Sequence, residues 1–274
     1  MMLHVSDLVI YPIKSLKGIS LSSAGVTDRG LEYDRRWMLI DSNNRFISQR
    51  EIPQMALCQP SLTNAGLKVT YLPNGENILI PYQPLTNTLL QVTVWDDTCT
   101  GQYVSHETSA WFSRVLGMPC SLVYMPDDTR RAVDPNYTDG QQITSFSDAY
   151  PFLIIGEASL TDVSQRVGQA IPMNRFRPNI VFSGGNAFME DEMAHFIINN
   201  IHFYGVKICA RCPIPGIDQE TGISGKEPLK TLAGYRRKNN KVWVGQNLVH
   251  KGNGTLHIGD TIEVLEMKAP AVFD

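Results

Sequence analysis

A chain of 274 residues with 43% apolar and 19% charged residues has an ordinary globular balance. It is long enough for one large or two modest domains and for a core that needs no disulfide staples. Its 24 cations and 27 acids leave −3 at pH 7, with no half of the chain strongly basic, which argues against a nucleic-acid module. No apolar run reaches the 18 residues of a membrane-spanning helix, and the start, Met1 to Ile10, alternates like a strand rather than reading as a secretion signal. These features predict a cytoplasmic chain without nucleic-acid or membrane partners, its five cysteines reduced.

In chain order, short runs of alternating apolar and polar residues predict strands at 3–12, 37–41, 45–48, 67–72, 78–81, 88–95 and 99–104. Ser42-Asn43-Asn44, Pro73-Asn74-Gly75 and Asp96-Asp97 supply the turns between them. Over 107–116, Trp111, Val115 and Leu116 share a helical face, and Gly117 and Pro119 end it. Residues 126–150 are polar and predict a long connection that builds little core. A strand at 152–155 then leads through Gly156 into a helix at 157–167, with Leu160, Val163 and Val167 aligned. Strands follow at 179–182, 195–198 and 202–209, a helix at 227–237, and closing hairpins at 242–249 and 256–265. The fold class is mostly β with some helix (α+β). A β-barrel-like unit over 1–125 interleaves with a β-barrel unit over 126–274 that carries peripheral helices, and a cleft between them receives residues from both.

Cys209-Ala210-Arg211-Cys212 is the first chemical candidate. Two thiols at this spacing form a metal chelate or redox pair in some folds, but no second cysteine pair or paired histidine motif completes a zinc site. Cys209 is in phase with a buried strand face, and Cys212 lies at the strand's end, where Arg211 would favour its thiolate; two buried, inert thiols are the bland alternative. The second candidate is a set of cations at chain reversals: Lys14 and Lys17 around Ser15, Arg35 and Arg36 before Trp37, and Arg175 and Arg177 around Phe176. Cations beside hydroxyls and backbone amides suit a phosphate, although solvated surface charge is the simpler reading for most of them. Asp218-Gln219-Glu220-Thr221-Gly222 reads as a turn, being too short for a calcium loop. Asp7, Asp148 and Glu157 read as isolated carboxylates.

Taken together, Tyr11-Pro12-Ile13-Lys14-Ser15, Asp34-Arg35-Arg36-Trp37, Arg175-Phe176-Arg177-Pro178-Asn179, the cysteine motif with the Asp218 turn, and Lys226-Glu227-Pro228-Leu229 resemble one family over nearly the whole chain. It is the MOSC-domain family, named for the C-terminal domain of molybdenum cofactor sulfurase. The resemblance is to the branch with an N-terminal MOSC β-barrel domain, which includes the mitochondrial amidoxime-reducing component and bacterial relatives. It implies that Cys212 ligates molybdenum held by a pyranopterin (the molybdenum cofactor) and that Lys14, Arg35 and Arg177 meet its phosphate. It also implies polar contacts from Ser15 and Arg211. Tyr150 and Asn247 fall where the family has further contacts but carry different side chains, so backbone contact is implied there. Pyridoxal phosphate is not expected.

The implied reaction is two-electron reduction of the N–O bond of a small N-hydroxylated substrate. Some bacterial relatives append an iron–sulfur domain; with no further cysteine cluster here, the implied electron source is a separate donor protein of ferredoxin or flavoprotein type. A sulfur carrier, with a persulfide on Cys212 used in metal–sulfur cofactor assembly, is the alternative, followed by a non-catalytic anion-binding barrel.

Overall fold

The computed structural model describes residues 2–138 and 140–274; Met1 and Asp139, which fall in the first strand run and the polar connection above, lie outside the described residues. The first part of the chain forms β1 (Leu3–Ile10), β2 (Ile19–Leu21), β3 (Ser23–Thr27), β4 (Gly30–Leu31), β5 (Trp37–Ile40), β6 (Cys58–Thr63), β7 (Gly66–Tyr71), β8 (Asn77–Ile80), β9 (Leu89–Val94), β10 (Asp97–Tyr103), α1 (His106–Leu116) and β11 (Ser121–Tyr124). The second forms β12 (Phe152–Gly156), α2 (Glu157–Val167), β13 (Ile180–Ser183), β14 (Met193–Ile198), β15 (Ile201–Arg211), α3 (Leu229–Leu232), β16 (Arg237–Lys238), β17 (Lys241–Lys251), β18 (Gly254–His257) and β19 (Thr261–Met267).

Seven strands close on themselves in the order β12-β13-β1-β19-β14-β15-β17, because β17 pairs back onto β12. Closure leaves these strands no free edge. Leu3, Val5, Leu8 and Ile10 of β1 are buried in its core with Phe152, Ile154, Phe182, Phe196, Phe203 and Leu248. The first strand of the chain thus completes a barrel whose other strands all follow residue 150, and the expected interleaving of the two units takes this form. β2 pairs with β1, β3 and β4 form a small sheet with β18, and the remaining strands of the first half make a half-barrel from the sheets β5-β11-β10-β9 and β6-β7-β8. Its main core gathers Trp37, Leu39, Val69, Ile80, Phe112 and Leu122. The fold is therefore mostly β with helices on its periphery, as the sequence implied.

Three local expectations are overturned. Residues 45–48 form only isolated bridges, Phe46 to Ile40 and Arg45 to Thr93. The helix expected over 227–237 is limited to α3, because Arg236 turns inward to an ion pair with Asp191 and Arg237-Lys238 joins β17 as a strand. The polar connection builds core after all, burying Val133, Ile143, Phe146 and Tyr150. It folds around Arg131, which donates to the carbonyls of Ser145, Ser147 and Asp148 and pairs with Asp97.

Candidate active site

The long strand β15 ends at Arg211, and Cys212 follows it directly before Pro213 and the short turn Ile214–Gly216 lead the chain away. Both motif cysteines are half-buried free thiols. Arg211 does not serve Cys212 as expected: its Nη1 donates to the Cys209 Sγ at 3.2 Å and its Nη2 to the Phe176 carbonyl at 2.6 Å. Its Nε is buried without a partner. Burial pushes the Cys209 thiol up, against the opposing pull of Arg211.

Phe176 links this strand end to the cations, for Arg177 is the next residue. The Arg35 and Arg177 guanidiniums both stack on the Tyr11 ring, at 4.3 and 4.1 Å from its centroid. Arg35 is held by both oxygens of Asp34, itself buried, and by the Asn179 Oδ1. Arg177 is only 8% exposed, and no side-chain hydrogen bond from it is recorded among the described residues. Burial lowers it to about 10, with Arg35 adding to the strain and the Tyr11 hydroxyl opposing it. Lys14, also buried, donates to the Phe146 carbonyl at 2.8 Å and to Asp148 at 2.5 Å. Ser15, Arg35 and Arg177 hold φ of 68°, 50° and 58°, the left-handed region that residues with a Cβ adopt at a cost. Packing around a binding site is a common reason for such strain.

Asp148 is not the isolated carboxylate expected from sequence. Its side chain is largely exposed, and Lys14 and the Trp95 indole, donating at 3.1 Å, outweigh its partial desolvation and hold the carboxyl well below its usual range. Its charge is also felt at Arg177 and at Cys209, so it joins the cations to the cysteine end. Gln49 and Gln219 are two more residues missed from sequence. Buried together, they exchange amide hydrogen bonds of 3.0 and 2.9 Å while Gln49 also donates to the Ser15 carbonyl at 2.8 Å. They clasp Ser15 to the Asp218–Gly222 segment, which is a turn as expected: the Asp218 Oδ1 accepts from the amides of Glu220 and Thr221. A cleft of about 180 Å³ lies alongside, lined by Tyr11, Lys17, Arg177, Gln219 and Glu220. A larger cavity, about 690 Å³, opens beside Thr98 and Thr129 and contains none of the predicted site residues.

Tyr150 packs with Val133 and Val249, and Asn247 of β17 pairs with Leu153 on one side and Lys207 on the other. Asn247 thus lies beside β15, and among the described residues neither side chain hydrogen-bonds to the cation cluster. Among the described residues no group of three or more His, Cys, Asp or Glu is arranged to hold a metal. A metal at Cys212 would therefore draw its other ligands from a cofactor. The residues fit such a group: one thiol for the metal, an orphaned Arg211 Nε, and a buried arginine short of acceptors for an anionic tail.

A seven-stranded barrel joined to a half-barrel, with a cysteine motif at the end of a barrel strand, defines a class, and sequence comparison agrees with it. Residues 2–119 match the MOSC N-terminal beta barrel domain and residues 141–263 the MOSC domain. The chain belongs to the MOSC family. It is 33% identical over 279 residues to mitochondrial amidoxime-reducing component 1 of Mus musculus, covering 95% of this chain and 82% of that protein. It is 33% identical to mitochondrial amidoxime reducing component 2 of Rattus norvegicus, over 85% of this chain and 72% of that one. It is also 30% identical to molybdenum cofactor sulfurase of Oryza sativa subsp. japonica, over 89% of this chain and 32% of that one. Among the described residues no helix is long and apolar enough to cross a membrane.

Proposed function

We propose that this chain is a cytoplasmic molybdenum cofactor-dependent oxidoreductase that reduces small N-hydroxylated compounds, converting R–NH–OH, two electrons and two protons to R–NH₂ and water. The observation that carries this reading is the arrangement of the Cys212 thiol after the end of β15, through Arg211 and Phe176, next to a buried cation cluster in which Arg177 makes no side-chain hydrogen bond among the described residues. The names of its relatives supply the substrate class and the cofactor.

Bound here, the cofactor would supply two-electron redox chemistry for the substrate. Cys212 would hold the metal, and Lys14, Arg35 and Arg177 the phosphate, with Ser15 beside them. The free Nε of Arg211 would donate to the pterin, and Tyr150 and Asn247 would line it through their backbone. Asp148, ionised across the neutral range, keeps Lys14 aimed at this space.

The rice relative, named a sulfurase, keeps a second reading in play, in which Cys212 carries sulfur as a persulfide. Metal and pterin analysis of wild type and Cys212→Ser, purified from a host that makes the cofactor, separates the two. Near one molybdenum per wild-type chain, lost in the variant, is expected. No molybdenum in either, while a control enzyme from the same host is loaded, refutes the reductase; sulfane sulfur on Cys212 would then favour sulfur carriage.

A further inference from the structure

Charge on this acidic chain is unevenly placed. Residues 226–241 hold six cations and one acid, so this stretch is +5 while the remainder is −8. Of the cations, Arg236 is turned inward, and Lys226, Lys230, Arg237, Lys238 and Lys241 are exposed. Lys226 lies just before α3, Lys230 on α3 and the rest on the hairpin of β16 and β17, where Lys238 pairs with Lys241 and Asn239 and Asn240 make the turn. Two like charges directly opposite on a hairpin repel, so folding alone does not favour them. Blunting a bare sheet edge does not explain them either, because the outer side of β16 already receives a hydrogen bond from the Asp274 amide to the Arg237 carbonyl.

Their position is what gives them meaning. Val242 of β17 pairs with Arg211 on one side and with Arg237 on the other. Adjacent strands lie about 4.8 Å apart, so the basic hairpin stands roughly 10 Å from the strand end that carries Cys212. We propose that this basic hairpin, with Lys226 and Lys230, is the docking surface for an acidic one-electron carrier protein. This rests on the reductase reading: two reduced carriers are each oxidised by one electron, and with two protons from solvent they convert one R–NH–OH to R–NH₂ and water. Negative potential over the rest of the chain opposes broad contact with a long polyanion, whereas a small acidic protein seats on one patch.

The test uses the full chain and the charge-reversed variant Lys230→Glu/Lys238→Glu/Lys241→Glu, whose melting temperature first shows that it folds. The probe is a plant-type [2Fe–2S] ferredoxin, titrated calorimetrically at low salt. Wild type should bind it with an affinity that falls as salt rises, and the variant about tenfold or more weakly. In cofactor-loaded protein, KM for reduced ferredoxin should rise likewise, while kcat and the rate with reduced methyl viologen stay unchanged. No binding to wild type, or binding indifferent to the reversal, overturns the proposal even where viologen drives turnover. Tighter binding of wild type to phosphatidylglycerol vesicles or to a DNA oligonucleotide than to ferredoxin also overturns it. Salt-dependent, reversal-sensitive ferredoxin binding with no viologen-driven turnover would support the docking surface and defeat the reductase reading alone.

Discussion

Arg177 shows how the site is held at the cost of the fold. Its guanidinium is nearly buried, stacked on Tyr11, and makes no side-chain hydrogen bond among the described residues. Burying a charge that no side-chain hydrogen bond satisfies opposes folding even with Asp148 and Asp34 nearby, so Arg177→Met should raise the stability of cofactor-free protein by on the order of 1–3 kcal/mol. A urea melt measures this, and metal analysis should show the same variant unable to retain molybdenum. A variant that is less stable would mean that the stacking outweighs the buried charge. Cations at chain reversals were legible as Lys14, Arg35 and Arg177 because a site at strand ends needs them in sequence beside turns. Asp148 was not, because its partner Lys14 is 134 residues away, and neither was the Gln49–Gln219 clasp, whose members are 170 apart. The direction of Arg211, toward Cys209 and Phe176 rather than Cys212, is likewise set by packing that no local pattern encodes.

At the scale of elements, the short turn Met189–Asp191 packs against β12, β15 and β17 and brings Glu190 into full burial. Ser159 donates to one of its oxygens at 2.8 Å, and the other has no partner. Burial, with the neighbouring Asp191 charge, pushes the carboxyl up to about 7 from 4.5. A folded-state value above the unfolded one means that Glu190 opposes folding least below pH 4.5 and that this advantage is lost as pH rises to about 7. Relative to Glu190→Gln, wild type should therefore lose on the order of 3 kcal/mol across that window. Parallel denaturant melts at several pH values would sink the idea if the two proteins kept a constant difference. A second test lies in β15, where a Cβ on Gly205 would meet the Met193 carbonyl oxygen at 2.1 Å. Gly205→Ala should cost about 3 kcal/mol or more by thermal melt, because a backbone atom in the middle of a sheet cannot move aside. Helix α1 was legible through its stop signal, Gly117, which is left-handed, and α2 through the shared face of Leu160, Val163 and Val167. The short strands β2, β3 and β4 were not, since two to five residues give too little periodicity, and the β18 partner of β3 lies far along the chain.

For the whole molecule, the consequence of interleaving is that neither half should fold without the other. β1 lies between β13 and β19, so a chain starting at residue 126 would open the barrel along two strand edges. It would also lose Leu3, Val5, Leu8 and Ile10 from the core. The first 125 residues would in turn lose β18 from β3 and the Phe146 and Asp148 partners of Lys14. An opened barrel exposes unpaired backbone and apolar surface together, the combination that favours aggregation over a stable partial fold. Fragments 1–125 and 126–274, expressed singly, should therefore lack a cooperative thermal transition, and co-expression should restore one, since a break at 125/126 removes no strand. Restoring residues 1–31 alone to the second fragment should recover part of it, because that segment carries β1 to β4. A cooperative melt and dispersed amide spectrum from 126–274 alone would show that the barrel tolerates an open side, and the two units would then be independent domains. If the halves fold only together, the cleft can form only in the assembled chain, because Tyr11 and Lys17 line it from one half and Arg177 and Gln219 from the other.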